Sequence, residues 1–277
     1  MSAMQLALST LGCPDWDLER ILSVGREAGY DGVDFRGYRD EIDVTRHPLF
    51  TDRADETRSR LEAAGLSVSA LSSSISLCEP GDRSARVAEA RRLIEVADAF
   101  DVDRIRVFGG GDLDAHSRAD LARFGGETMR EILAIDGAEN VRWILETHDA
   151  WTASDDCQRL LDELPADDVG VLWDAAHTVR LAGESPRETL DALGDRIEYV
   201  HVKDAVYDPD HHDATDDGYV YAVPGEGDLP MADVVEALRE RGYDGWLVFE
   251  HEKRWHPSLA DPDVALPAFV EWFRDQR

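Results

Sequence analysis

"MQLALSTLGCPDWD" (residues 4–17) contains the first apolar run of the chain and the turn that leaves it, and the reading of that turn decides the fold. The stretch that follows, DWDLERILSVGREAGY, opens on Asp and carries Leu18, Ile21, Leu22 and Val24 on one helical stripe, so the pair reads as a strand feeding a helix. In an open, doubly wound sheet this first turn carries a glycine-rich phosphate loop. Here STLGCPDWD has one glycine and a proline, and no such loop. The later FGGGD (108–112) fits no GxGxxG spacing either, and its glycines serve a sharp turn or a close backbone approach to a ligand. A closed barrel is the better solution.

Working outward, seven more apolar runs follow: DGVDFR (31–36), LSVSAL (66–71), RIRVF (104–108), VRWIL (141–145), VGVLW (169–173), IEYV (197–200) and WLVF (246–249). Helix-like segments separate them. SARVAEARRLIEVADAF, for example, lines up Val87, Ala90, Leu93, Ile94 and Ala97, and Gly29, Gly65 and Gly242 punctuate helix ends. Eight strands in 277 residues leave about 35 residues per unit, the size of a βα repeat. The expectation is one α/β domain over residues 1–277, a single (β/α)8 TIM barrel.

Composition narrows the class. The chain is 43% hydrophobic, with no apolar run long enough to span a bilayer and no low-complexity tract. MSAMQLALST has no basic region ahead of a long apolar stretch, so a cytoplasmic location is expected and no membrane partner. The three cysteines, Cys13, Cys78 and Cys157, are far apart and imply neither disulfides nor a cysteine zinc site. Asp and Glu total 59 against 29 Lys and Arg, a net charge of −30 spread along the whole chain. Of those 29 cations, 27 are Arg and only Lys203 and Lys253 are Lys. Such a surface repels phosphate backbones, so no nucleic-acid partner is expected, and it reads as adaptation to molar salt.

In a (β/α)8 barrel, catalytic groups stand at the C-terminal strand ends. The last four runs end in Glu146 (WILETHD), Asp174 (VLWDAAH), His201 (YVHVKD) and Glu250 (LVFEHE). One acid after a strand means only that the chain has reached solvent, but four successive strands converge on one point. Three carboxylates and an imidazole around a point repel one another unless a cation sits between them.

ETH, WDAAH, HVKD, the downstream VPGEGDLP and the closing FEHE, in this order, resemble the xylose isomerase-like barrels. That group joins sugar phosphate isomerases and epimerases to the apurinic endonuclease family 2 barrels, and the likeness covers nearly the whole chain. It implies one divalent ion on Glu146, Asp174, His201 and Glu250. Three oxygens and one nitrogen favour Mn²⁺, Mg²⁺ or Co²⁺ over Zn²⁺, with room for two oxygens of a small sugar or polyol substrate. By the same resemblance Glu146 and Glu250 are the catalytic pair, exchanging a proton through an enediolate, and His177 contacts a substrate oxygen. His148 and Lys203 each lie two residues beyond a ligand and share its parity, which places them above the metal. Arg36 ends its strand and reaches the mouth, while Arg106, two residues short of its strand end, pairs with an acid inside the barrel. Trp151 and Trp173 wall the pocket or pack in the core. His251 and Lys253 have the opposite parity from Glu250 and are placed at the surface.

The expected activity is a metal-dependent isomerase or epimerase of a sugar, keto-sugar or related polyol, with an inosose dehydratase-like lyase as the alternative on the same ligands. An apurinic endonuclease-like phosphodiesterase needs additional histidines that SSSISLCEPG and FGGGD lack, and a non-catalytic sugar-binding barrel does not need the full ligand set. Epimerases of free ketoses often carry an Arg after strand seven, where this chain has AVYDPDHHDATDDGYVYAVPGEGD with no Arg and the solvated pair His211–His212. No phosphate cradle is legible. The resemblance allows a homo-oligomer without setting its order. If the acidic surface is a salt adaptation, the melting temperature will rise between low and molar KCl, and a flat profile would remove that reading.

Overall fold

The computed structural model describes residues 4–276. All eight apolar runs are strands: β1 (Gln5–Ser9), β2 (Gly32–Phe35), β3 (Ser67–Ser76), β4 (Arg104–Phe108), β5 (Arg142–Glu146), β6 (Val169–Asp174), β7 (Ile197–Val202) and, after a hairpin, β10 (Trp246–Phe249). They close in the order β1-β10-β7-β6-β5-β4-β3-β2, each pair parallel, so no strand is left with an unpaired edge. The runs are short and apolar on both faces because both are covered: every residue of β2, β6 and β10 is buried.

The helices form the outer ring: α1 (Leu18–Ala28), α2 (Ala54–Ala64), α3 (Ser84–Phe100), α4 (Arg118–Leu133), α5 (Ser154–Leu161), α6 (Ala175–Ala182), α7 (Pro186–Leu193), α8 (Met231–Glu240) and α9 (Pro262–Asp275). Two of them, α6 and α7, share the β6–β7 crossover. No described helix is long and apolar enough to cross a membrane.

Inside the barrel, Ala7, Ala70, Ile144, Leu172, Tyr199, Trp246 and Val248 pack together beneath the mouth. The larger core lies between strands and helices, and it takes both tryptophans in question. Trp151 is buried, and its indole N–H donates to the Gly110 carbonyl at 2.8 Å. A Cβ at Gly109 would stand 1.9 Å from Trp151 Cδ1, so in FGGGD that glycine accommodates a tryptophan and not a ligand. Trp173, also buried, donates to Thr178 Oγ1 at 2.9 Å. The three cysteines are free and buried, and burial pushes each thiol up to about 12, well away from thiolate chemistry.

The loop after β7 differs from the sequence reading. It contains an antiparallel hairpin, β8 (Asp204–Tyr207) with β9 (Tyr219–Ala222), folded beside the barrel mouth. Asp204 secures its base: the buried carboxylate accepts backbone N–H bonds from Ala205, Gly225, Gly227 and Leu229. A Cβ at Gly227 would fall 2.1 Å from Asp204 Oδ1, which accounts for a glycine in VPGEGDLP. Arg180 of α6 holds the other end, pairing with Asp217 at 2.5 Å beneath the rings of Tyr219 and Tyr221.

Candidate active site

Each of the four expected residues sits where its strand delivers it. Glu146 ends β5, Asp174 ends β6, His201 lies one residue short of the end of β7, and Glu250 directly follows β10. Asp174 and His201 are register partners across β6 and β7. All four are buried, and one potential ligand atom from each lies within 4.8 Å of all the others. Asp174 also caps α6, accepting from the His177 N–H at 3.0 Å through Oδ1, which leaves Oδ2 to face the centre.

The donor atoms are sorted by what already holds them. Glu146 Oε2 accepts from Arg106 Nη1 at 2.5 Å, so Arg106 does pair with an acid inside the barrel. Glu250 Oε2 accepts from Lys203 Nζ at 2.6 Å. Both Oε1 atoms turn toward His201 Nδ1, at 3.9 Å for Glu146 and 3.4 Å for Glu250. His201 Nδ1 itself is buried and has no hydrogen-bond partner among the described residues. An unpaired imidazole nitrogen facing three carboxylates suits a divalent cation with mixed oxygen and nitrogen ligands.

Behind the imidazole stands a residue the sequence reading did not single out. Asp34, in the middle of β2 and buried, places Oδ2 3.4 Å from His201 Nε2. The same oxygen accepts from the Tyr199 hydroxyl at 3.1 Å, and that hydroxyl is 2.7 Å from Ser69 Oγ. The chain Ser69–Tyr199–Asp34 sets the ring orientation and leaves Nδ1 as the outward nitrogen. A signal was present: a carboxylate in a strand otherwise reading as buried. Glu252, likewise missed, places Oε1 2.8 Å from Lys203 Nζ; it shares the parity of Glu250, by the same alternation that located His148 and Lys203.

Lys203 stands among the acids of the site. Its ammonium is buried, 2.8 Å from Asp174 Oδ2, 2.6 Å from Glu250 Oε2 and 2.8 Å from Glu252 Oε1. Burial alone would lower its pKa, but Asp174, Glu250 and Glu252 outweigh burial and hold it well above the ordinary lysine value. Reciprocally, burial would raise Glu250, yet Lys203 and His201 hold it well below the usual carboxylate range.

At the same Asp174 oxygen, His177 Nδ1 lies 3.3 Å from Oδ2 and 3.3 Å from the Thr147 carbonyl. Burial, then the charges of Lys203 and His148, depress its pKa well below normal and keep it neutral. His148, half-buried, meets the His177 ring edge-to-face at 4.8 Å and pairs with Asp149 at 2.7 Å. Arg36 is half-buried near Glu146, Glu250 and Asp34. His251 lies outside the site, as its parity required, but it is buried and not at the surface, because its Nε2 bonds the Ala260 carbonyl at 2.8 Å. Lys253 is half-buried and ties down the same loop through Asp261. His211 and His212 stack on each other in the hairpin loop, the latter in solvent.

A family model for the xylose isomerase-like TIM barrel matches residues 22–276. The chain belongs to this family. Among curated relatives, the inosose dehydratase of Lacticaseibacillus casei is 35% identical over 119 residues, which cover 40% of this chain and 39% of that protein. The match therefore spans less than half of that relative's length. Among solved structures, the IolI protein with a bound zinc atom superposes with a TM-score of 0.79 at 18% identity, over 99% of this chain and 98% of that one. The 3-keto-D-glucoside 4-epimerase YcjR of E. coli superposes with a TM-score of 0.72 at 17% identity, over 98% and 99% of the two chains. Both share the barrel fold.

If Asp34 orients His201, Asp34→Asn will weaken Mn²⁺ binding by roughly 10- to 100-fold with the fold intact. Calorimetric titration of metal-stripped protein reads this directly, and unchanged affinity would reduce Asp34 to packing.

Proposed function

We propose that the protein is a divalent-metal-dependent lyase that removes water from a polyhydroxylated ketone of the inosose type. The observation that carries this is the convergence of Glu146, Asp174, His201 and Glu250, with Lys203 and two histidines around them, in a chain related to inosose dehydratases. The relatives favour this alternative over the isomerase or epimerase first expected. Mn²⁺, Mg²⁺ or Co²⁺ fits the donor set of Glu146, Asp174, His201 and Glu250 better than Zn²⁺ does, and when bound supplies Lewis acidity toward a ketone oxygen.

The chain's own residues account for the rest. Arg106 and Lys203 hold one oxygen each of Glu146 and Glu250, leaving the two Oε1 atoms free toward the centre. Either can take the proton from the carbon beside the ketone. Lys203, its three donors held by Asp174, Glu250 and Glu252, supplies a fixed positive charge near the enolate oxygen that forms. The carbon–oxygen bond of the next hydroxyl then breaks, the hydroxyl takes a proton from His148, whose pKa burial would lower but Asp149 and Glu146 raise, and water and an enone result. Arg36 contacts the substrate from the strand-two side. An epimerase or isomerase would use the same first step. Two free carboxylate oxygens flanking one centre are what proton exchange on both faces of a carbon requires, and this keeps it as the second reading.

Product chemistry separates them. With metal-loaded protein and an inosose, a lyase will generate the ultraviolet absorbance of a conjugated enone, and Glu146→Gln or Glu250→Gln will abolish it while metal is retained. A new epimer without that absorbance would establish the second reading. A further outcome concerns Lys203: three carboxylates converge on one compact ammonium, a geometry that a planar guanidinium does not match. Lys203→Arg, with metal content checked, will lower kcat/KM by roughly tenfold or more, about 1.4 kcal/mol of barrier. A value within about twofold of wild type would make Lys203 structural.

A further inference from the structure

The site's cations are unequally satisfied. Lys203 is enclosed by three carboxylates, whereas Arg106, only 2% exposed, spends one N–H on Glu146 and leaves Nε and Nη2 with no acceptor among the described residues. Its guanidinium carbon stands 3.8 Å from the centroid of the Phe108 ring, and Phe108 in turn meets His148 at 4.8 Å, so one ring links the guanidinium to the substrate-side histidines. Arg36 joins it from β2. Its Nη1 is likewise buried without an acceptor. Burial first, and the Arg106 charge second, bring Arg36 down to about 10, against the pull of Glu146, Glu250 and Asp34.

Two guanidiniums held near each other with unmet donors are costly. An unsatisfied buried donor costs on the order of 1–3 kcal/mol, and like charges add repulsion. A neutral hydroxyl would satisfy a donor but leave the repulsion. An anion relieves both, and a planar two-oxygen anion matches the guanidinium fork. We infer that the ligand of this site carries an anionic group, a carboxylate or a phosphate, beside its hydroxyls, and that Arg36 and Arg106 receive it. The inference rests on the polyol reading of the site and narrows its substrate class.

Three ring polyols test it on metal-loaded protein by calorimetry at one fixed salt concentration: quinate, myo-inositol 1-phosphate and neutral myo-inositol. One anionic ring is expected to bind at least about tenfold tighter than myo-inositol, and which one it is distinguishes carboxylate from phosphate. In Arg36→Gln, half-buried and without a protein partner at Nη1, that advantage should collapse to within about twofold, with metal stoichiometry unchanged. Arg106→Gln should do the same if it folds and loads metal. Equal affinity for all three rings would overturn the inference and leave the arginines balancing carboxylates, with the polyol reading intact. An anion preference that survives Arg36→Gln would also overturn it, since the anion would then be held elsewhere, for example on the metal. Failure of all three rings to bind protein with its metal in place would remove the polyol reading itself, and this inference with it.

Discussion

Bringing Glu146, Asp174, Glu250 and Glu252 into the dry mouth of a barrel costs several kcal/mol per charge unless each meets a cation. The ammonium of Lys203 answers three of them at 2.6 to 2.8 Å, and Arg106 answers the fourth. This arrangement gathers four carboxyl groups around two cations, and it holds Glu250 well below the usual carboxylate range. It also decides which oxygens are occupied. Because Lys203 and Arg106 hold the outer oxygen of Glu250 and Glu146, the inner oxygens remain available for a metal or a substrate proton.

The scaffold is divided along the barrel axis to serve that cluster. Below, Ile144, Leu172, Trp246 and Val248 exclude water and give the strands a packed interior. Above, the same inward-facing rows become polar two residues later, at Glu146, Asp174, His201 and Glu250, as the parity of a strand requires. Tyr199 joins the two levels: its ring belongs to the apolar layer, while its hydroxyl bonds Asp34, which bonds His201. The His201 imidazole is therefore braced by the hydrophobic core, and softening that core would be felt there. The hairpin after β7 closes one flank, and its Tyr221 ring lies 5.9 Å from the Lys203 ammonium.

Elimination and epimerisation beside a ketone can share one scaffold because both begin by removing a proton next to a carbonyl. What separates them is where an acid stands relative to the neighbouring hydroxyl, and whether the second carboxylate can return the proton. His177 and Lys203 meet at Asp174 Oδ2, and His148 packs against the His177 ring, so two imidazoles and an ammonium border the carboxylates.

The eight barrel strands, barrel closure and the positions of Glu146, Asp174, His201 and Glu250 were legible in the sequence because they depend on local periodicity and on where an apolar run stops. Parity also located His148 and Lys203, and kept His251 and Lys253 out of the site. The reading failed where a side chain's environment comes from distant segments. His251 is buried by the loop ending at Ala260, and Gly109 is a glycine because Trp151, 42 positions later, packs against it. Asp34 matters because closing the barrel brings β2 opposite His201, a neighbour 167 residues away in the chain. The unmet N–H groups of Arg106 and the crowding of Lys203 are likewise properties of the closed mouth. A sequence determines which residues can face inward; only closure decides what they face, since a contact between strand ends depends on shear and rotamer and on no local pattern.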